Sequence, residues 1–330
     1  NSSKENALYD VLLSLGEKDK SEIALNQKNV PFVGSAKVAK IKDFEGRVYI
    51  GNAVILNRYA EEFGLTPEDT IVNVVSIVGP ITRSSGMCSV GSMQQRDQMM
   101  MASSYPNVVG HIIYLNTPGG STSSLQDFKY AFDYCRSKKQ SILGLVDGMC
   151  ASLGTGIASQ CDEIYFVNPK DEIGSIGTYG AFFTIKDGDV NTITQERYCE
   201  VYATDSEDKN KWYRDAADGD KKLIQEEVNA TNNNFKAAIK SGRPSILDEQ
   251  MTGKMYPCGE VVGTLVDGQS TIGEVAAMIV ERMPKKDDKN SNSSASASTS
   301  PQPSQANKSH NNNSNPNKNN MKQYPSIASA

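Results

Sequence analysis

The sequence predicts an α/β domain on a mostly parallel sheet, followed by a tail with no core of its own. Three observations carry this prediction. Short apolar, β-branched runs at residues 71–78, 108–115, 141–146 and 163–167 alternate with stretches of helical spacing, and such alternation favours parallel pairing through right-handed crossovers. Gly, Pro and Asn mark the ends of these runs, as at Gly79-Pro80 and at Asn116-Thr117-Pro118-Gly119-Gly120. From Asp287 onward, 21 of 44 residues are Asn or Ser and the only Val, Leu or Ile is Ile327. That composition buries too little apolar surface to offset its ordering entropy, so residues 287–330 read as a disordered tail.

In chain order, residues 1–70 form a mixed N-terminal segment, read as a propeptide or an oligomerisation arm. Leu8, Val11, Leu12 and Leu15 have helical spacing, and the apolar stretch 48–59 leads into Thr66-Pro67-Glu68-Asp69, a turn and helix-start pattern. The main domain is expected over 71–286. Its first strand, 71–78, is followed by a helix over 92–102. The second strand, 108–115, leads into an amphipathic helix over 121–135, with Ser121 to Ser124 supplying caps. A third strand at 141–146 runs into a short buried helix at 150–159, and the fourth strand is 163–167. A long polar helix covers 219–240. The apolar run 261–266 ends at Asp267-Gly268, and a last helix spans 272–283.

Composition bounds the function. Hydrophobic residues make up 38% of 330, enough for a sizeable core, and the formal charge is −5. Nucleic acid is not expected as a partner, because phosphate binding leans on a basic face. Cys88, Cys135, Cys150, Cys161, Cys199 and Cys258 include no CxxC pair, and the two histidines are far apart, so neither a metal nor a cofactor is expected. The cysteines read as small buried residues of a reducing compartment. No run of eighteen apolar residues occurs, and the first residues carry no apolar signal region. A cytoplasmic protein without a membrane helix is the expectation.

The residues with chemical promise lie at two strand ends. In Val146-Asp147-Gly148-Met149-Cys150-Ala151-Ser152-Leu153-Gly154 a strand gives way through a glycine-containing turn to a serine among small residues at a helix start. That arrangement exposes a hydroxyl and offers free N–H groups to developing negative charge, although a serine there also serves as a plain N-cap. Thr117-Pro118-Gly119-Gly120-Ser121 places two glycines directly after a buried strand, where main-chain N–H groups can form an oxyanion hole or the glycines can serve the turn alone. A nucleophilic serine needs a proton acceptor. His310 lies in the tail and His111 inside an apolar strand, where a satisfied core histidine is expected, so a Ser-His-Asp triad is poorly supported. A lysine can act instead when burial disfavours its charged form. Lys209 and Lys211 stand in the charged stretch between Tyr202 and Tyr213, a composition that otherwise marks a solvated surface.

Taken in order, these pieces resemble the signal peptide peptidase A family of Ser/Lys dyad serine peptidases, and most of all its phage head-maturation proteases. Asn116-Thr117-Pro118-Gly119-Gly120 is similar to the family's SPGG loop, and Ala151-Ser152 to its AASGG nucleophile motif. Ala158-Ser159-Gln160-Cys161-Asp162-Glu163-Ile164 and Asn168-Pro169 follow, Gly174-Ser175-Ile176-Gly177 matches GSIG in full, and Gly263-Thr264-Leu265-Val266-Asp267 is similar to GLVD. The resemblance covers roughly residues 72–283. It implies a crotonase-like (Clp-protease-like) fold of repeated ββα units, a ring-shaped homo-oligomer, and a protein or peptide substrate, with phage capsid or scaffold proteins as partners. It implies Ser152 as nucleophile, Gly119, Gly120 and Leu153 as oxyanion donors, and Ser175 as the residue that positions the catalytic lysine. Lys209 is the first choice for that lysine and Lys211 the second. Leu153 stands where the family has Gly, Thr117 where it has Ser, and the lysine segment lacks the family's Gly-x-Tyr-Lys pattern. A peptide would add as a β-strand beside the Gly119-Gly120 loop.

Two other readings stay open on the sequence. One is a non-catalytic structural or scaffolding protein that keeps the fold, favoured by the tail and the departing lysine segment. The other is an acyl-CoA-processing enzyme of the crotonase type, against which no Glu or Asp stands beside the Gly119-Gly120 loop.

Overall fold

The structure is a computed structural model that describes residues 36–86 and 90–283. The expected helix over 6–16, Cys88, His310 and the expected tail lie outside the described residues.

In chain order the elements are β1 (Ala36–Ala39), β2 (Val48–Gly51), α1 (Ala53–Arg58), β3 (Thr70–Val78), α2 (Ser92–Ser104), β4 (Val108–Thr117), α3 (Leu125–Ser137), β5 (Ser141–Ala151), α4 (Leu153–Ala158), β6 (Glu163–Phe166), β7 (Glu172–Gly174), α5 (Lys211–Ala217), α6 (Lys222–Gly242), β8 (Met255–Pro257), β9 (Gly268–Gln269) and α7 (Ile272–Glu281). The strands form one mixed sheet in the order β1-β2-β3-β4-β5-β6-β9. All pairs from β2 to β9 along that path are parallel, and the antiparallel pairs described are β1 with β2 and, off the path, β7 with β8. The α/β class with a mostly parallel sheet therefore holds. The expected boundary at residue 70 falls inside the sheet, because β2 pairs in register with β3 from Val48↔Thr70 to Gly51↔Asn73.

Strand alternation sorts the core onto two faces. Val75, Ile77, Ile113, Leu115, Ile142 and Val146 point to the side covered by Met99 of α2, Phe128 and Phe132 of α3, and Leu153 and Ile157 of α4. Val72, Val74, Ile112, Leu143 and Leu145 point to the other side, where Val275, Ile279 and Val280 of α7 cover them. Both faces of the central strands are buried, which explains why these strands read as unbroken apolar runs rather than as alternating ones.

Several polar residues are buried within that core, among them Asn73, Ser103, His111 and Gln140, which bond to one another. His111 of β4 is fully buried, as expected of a satisfied core histidine. Its Nδ1 lies 3.0 Å from Asn73 Nδ2, and its Nε2 lies 2.9 Å from Ser103 Oγ and 3.1 Å from Gln140 Oε1.

β5 organises the end of the sheet that matters for function. Its first half pairs with β4 and β6 up to Val146. Beyond that the β4–β5 register shifts, from Leu115↔Val146 to Thr117↔Cys150, and the last residues, Met149 to Ala151, take β7 as their neighbour. β7 in turn carries β8. The helix expected over 150–159 is accordingly shorter. Cys150 and Ala151 are held extended by Ile173 and Gly174, and α4 begins only at Leu153. The apolar run 261–266 is a tight turn closed by a Val262–Val266 bridge rather than a strand.

Candidate active site

The first wall of the site is the loop after β4. Thr117, fully buried, donates its hydroxyl to the Gly79 carbonyl at 2.6 Å and accepts the Gly119 N–H at 3.0 Å. The next residues pair with the segment after β3. Ile81 N–H donates to the Gly119 carbonyl at 2.8 Å, and Ser121 N–H donates to the Ile81 carbonyl at 3.0 Å. In such a parallel bridge the bonded groups flank Gly120, so Gly120's own N–H and C=O face away from Ile81. Both glycines are required by close approach. A Cβ on Gly120 would stand 1.9 Å from the Ile81 carbonyl oxygen, and one on Gly119, at φ +96°, would stand 2.7 Å from Ser152 Cβ.

The second wall is the turn from β5 into α4. Ser152 occupies it at φ 53°, ψ −117°, a left-handed conformation that costs a non-glycine residue free energy and that recurs where a side chain must be presented from a sharp strand-to-helix turn. Ser152 N–H donates to the Gly174 carbonyl at 2.8 Å and its carbonyl accepts Gly156 N–H at 3.0 Å, so the backbone is fixed on both sides. Ser152 stands at the N-cap position of α4, yet its hydroxyl makes no capping hydrogen bond, nor any other among the described residues. Leu153 N–H, at the first position of α4, is likewise uncommitted.

The third wall is the end of β7. Ser175 follows Gly174 directly and is the second left-handed serine of the site, at φ 51°. Its N–H donates to the Lys254 carbonyl at 2.8 Å. Its hydroxyl has no partner among the described residues. The structure thus brings Gly119, Gly120, Ser152, Leu153 and Ser175 to one place at the end of the sheet. Of the three expected oxyanion donors, Gly119 is corrected, because its N–H is already taken by Thr117 Oγ1. The N–H groups of Gly120 and Leu153 have no partner among the described residues.

The lysines are not part of this cluster. Lys209 lies on an exposed turn ahead of α5, and no hydrogen bond or ion pair engages its ammonium among the described residues. The turn itself is braced. Arg214 donates to the carbonyls of Lys209 and Glu207, both at 2.5 Å, and stacks over Tyr202 at 4.2 Å. Lys211 is engaged elsewhere, with its ammonium 2.7 Å and 2.9 Å from the two carboxylate oxygens of Asp215.

Sequence reasoning missed Thr155. Its hydroxyl, buried beneath Ser152, lies 2.7 Å from the Cys150 carbonyl and 2.8 Å from the Gly174 carbonyl, and accepts Gly174 N–H at 3.1 Å. No spacing rule marks the contact with Gly174, because it closes between α4 and the end of a strand 19 residues further on. Of the cysteines expected to be buried, Cys150 is fully so, with burial pushing its thiol well above the usual range, whereas Cys199 corrects the expectation by standing exposed. No group of three or more His, Cys, Asp or Glu able to hold a metal occurs among the described residues. Nor does any described helix have the length and apolarity to cross a membrane.

The arrangement suits acyl chemistry: an unbonded hydroxyl on a strained turn, beside two unpaired backbone N–H groups. No protein-family model matches the chain, and no curated protein matches it.

Proposed function

We propose that this chain is a serine endopeptidase of the Ser/Lys dyad type and a member of the signal peptide peptidase A family. The observation that carries the reading is the Ser152 turn, with a left-handed backbone, a hydroxyl unbonded among the described residues and the Gly119-Gly120 loop packed against it. Ser152 Oγ attacks the scissile carbonyl and Lys209 takes its proton. The oxyanion rests on the N–H groups of Gly120 and Leu153. The proton passes to the leaving amine, and water then attacks the acyl-enzyme and frees Ser152. Lys209 is preferred to Lys211 because Lys211 is already paired with Asp215. Ser175, whose hydroxyl is free, positions the lysine.

A protein or peptide substrate lies extended beside Gly120, whose C=O faces away from Ile81 and is available to an added strand. Self-association into a ring is supported by the segment between β7 and α6, where Phe183, Ile193 and Val201 are 90–96% exposed, since clustered exposed apolar residues mark association surfaces. Assembly brings the dyad together, and capsid or scaffold proteins are the substrates this reading favours. The crotonase-like description of the fold belongs to the same proposal, supported by the parallel sheet and by β5 turning out of it towards β7.

A second reading is favoured by one observation, the lack of any lysine bonded to Ser152 among the described residues. On that reading the chain keeps the fold and serves as a structural protein. Labelling with a fluorophosphonate probe decides between them. The peptidase reading expects the assembled wild type to be labelled and both Ser152→Ala and Lys209→Ala to lose it. An assembled wild type that is never labelled favours the structural reading.

A further inference from the structure

We infer that Thr155 is a positioning residue for the nucleophile, an inference that rests on Ser152 being that nucleophile. The two left-handed serines of the site share one anchor, the Gly174 peptide: Ser152 N–H donates to the Gly174 carbonyl at 2.8 Å, and Ser175 is the residue that follows. What fixes Gly174 is Thr155. Its hydroxyl accepts the Gly174 N–H at 3.1 Å and sits within donating distance of two carbonyls, 2.8 Å from Gly174 and 2.7 Å from Cys150. One proton serves both carbonyls, so the contact is a three-way clamp rather than a single bond.

The clamp stands where β5 and β7 stop pairing, at Ala151↔Gly174. Beyond that register β5 turns into α4 and β7 turns towards Lys254. The last β5–β7 register pair therefore lies one residue before each serine, with the Ser152 N–H to Gly174 bond as its final rung, and the Thr155 side chain braces the Gly174 peptide that this rung depends on. Thr155 is 1% exposed, so water does not replace its hydroxyl. Neither serine side chain contributes to this link, which leaves both hydroxyls free for chemistry. Thr155 touches no reacting atom. It sets where Ser152 stands relative to Ser175 and to Leu153 N–H.

The test compares wild type with Thr155→Val, which exchanges the hydroxyl for a methyl at equal size, and with Thr155→Ser, which keeps the hydroxyl. Thr155→Ala removes the same hydroxyl and serves where the valine variant fails to fold. Fluorophosphonate labelling is followed over a range of probe concentrations on protein shown to be folded by circular dichroism. A displacement of the nucleophile by about 1 Å costs about 100-fold in rate. Thr155→Val is therefore expected to lower the maximal labelling rate by 10- to 100-fold, with the half-saturating probe concentration nearly unchanged and the labelled fraction still reaching completion. Thr155→Ser is expected to stay within a few-fold of wild type. A merely structural role would lower the labelled fraction instead of the rate. Wild-type rates in folded Thr155→Val, with labelling still lost in Ser152→Ala, overturn the Thr155 inference alone. Equal losses in Thr155→Ser and Thr155→Val overturn it too. A wild type that is never labelled removes the nucleophile reading and this inference with it.

Discussion

At the scale of single residues, the buried polar groups fix their own protonation. Asn73 Oδ1 accepts Ala53 N–H at 2.8 Å, so its NH₂ group faces His111 Nδ1, which must accept. Gln140 Nε2 donates to the Val108 carbonyl at 2.9 Å, so its oxygen faces His111 Nε2, which must carry the proton. Burial lowers the His111 pKa from 6.5 to about 4, with the Gln140 hydrogen bond pulling the other way. Because the folded value is the lower one, the unfolded chain binds the extra proton between those limits. Stability is then complete above pH 6.5 and falls as the pH drops towards 4, by about 3 kcal/mol in all. Urea unfolding at pH 7 and pH 4.5 should reveal this, with His111→Gln, which does not titrate there, losing less stability than wild type. Identical losses in the two proteins would sink the idea. The ring itself should appear in nitrogen NMR as the neutral Nε2–H tautomer at pH 6. That His111 is a core residue was legible from its place in an apolar run. Its partners were not, because Asn73, Ser103 and Gln140 come from three separate elements. The same holds at the site: Ser152 and the two glycines stand in local strand-to-loop patterns that a sequence displays, whereas the Thr155 clamp and the capture of Gly119 N–H by Thr117 exist only after folding.

At the scale of elements, the runs that were easiest to read are those buried on both faces. β3 and β4 lie within a residue or two of where their apolar runs place them, because a central parallel strand has no polar side to blur its limits. β5 is the exception. Its apolar run stops at Val146, yet the strand continues to Ala151 through Asp147 and Gly148, since β7 supplies a new neighbour that the local sequence does not announce. α7 was legible for a further reason. Thr271 accepts Glu274 N–H, and the Glu274 carboxylate accepts Thr271 N–H at 2.8 Å, a reciprocal cap readable from Thr-x-x-Glu before an apolar stretch. This helix alone among those described brings Val275, Ile279 and Val280 onto its face of the sheet, so its start sets the cover for that whole core. Thr271→Ala is expected to cost about 1 kcal/mol of stability, and Thr271→Ser little. Chemical denaturation of the two variants measures both, and equal behaviour would show that packing alone holds the helix.

At the scale of the whole molecule, the distribution of apolar surface is uneven. Among the described residues, no large apolar side chain of the sheet or its helices is more than 58% exposed, whereas the segment between β7 and α6 leaves Tyr179, Phe183, Ile193 and Val201 at 89–96% exposure. That segment holds its own shape through polar contacts, such as the Lys186 to Asp218 ion pair at 3.0 Å and the bond from Ile185 N–H to Tyr213 at 2.7 Å. Its apolar side chains are therefore presented by an ordered framework, and hydration of so much apolar surface opposes leaving it uncovered. Hydrophobic patterning cannot reveal this, because residues 179–201 look like any interrupted strand region until the sheet is seen to form without them. Lys209 lies in the same segment, and under the proposed dyad a contact that covered this segment around Lys209 would desolvate it, as a lysine base requires. Association and activity should then fail together. The triple variant Phe183→Ser, Ile193→Ser, Val201→Ser is expected to sediment near the 35.8 kDa of a single chain, while the wild type sediments as a multiple of it, and probe labelling of the variant should fall to the level of Lys209→Ala. A wild type that is monomeric at micromolar concentration, yet fully labelled, would separate the two properties and place the lysine's desolvation within one chain.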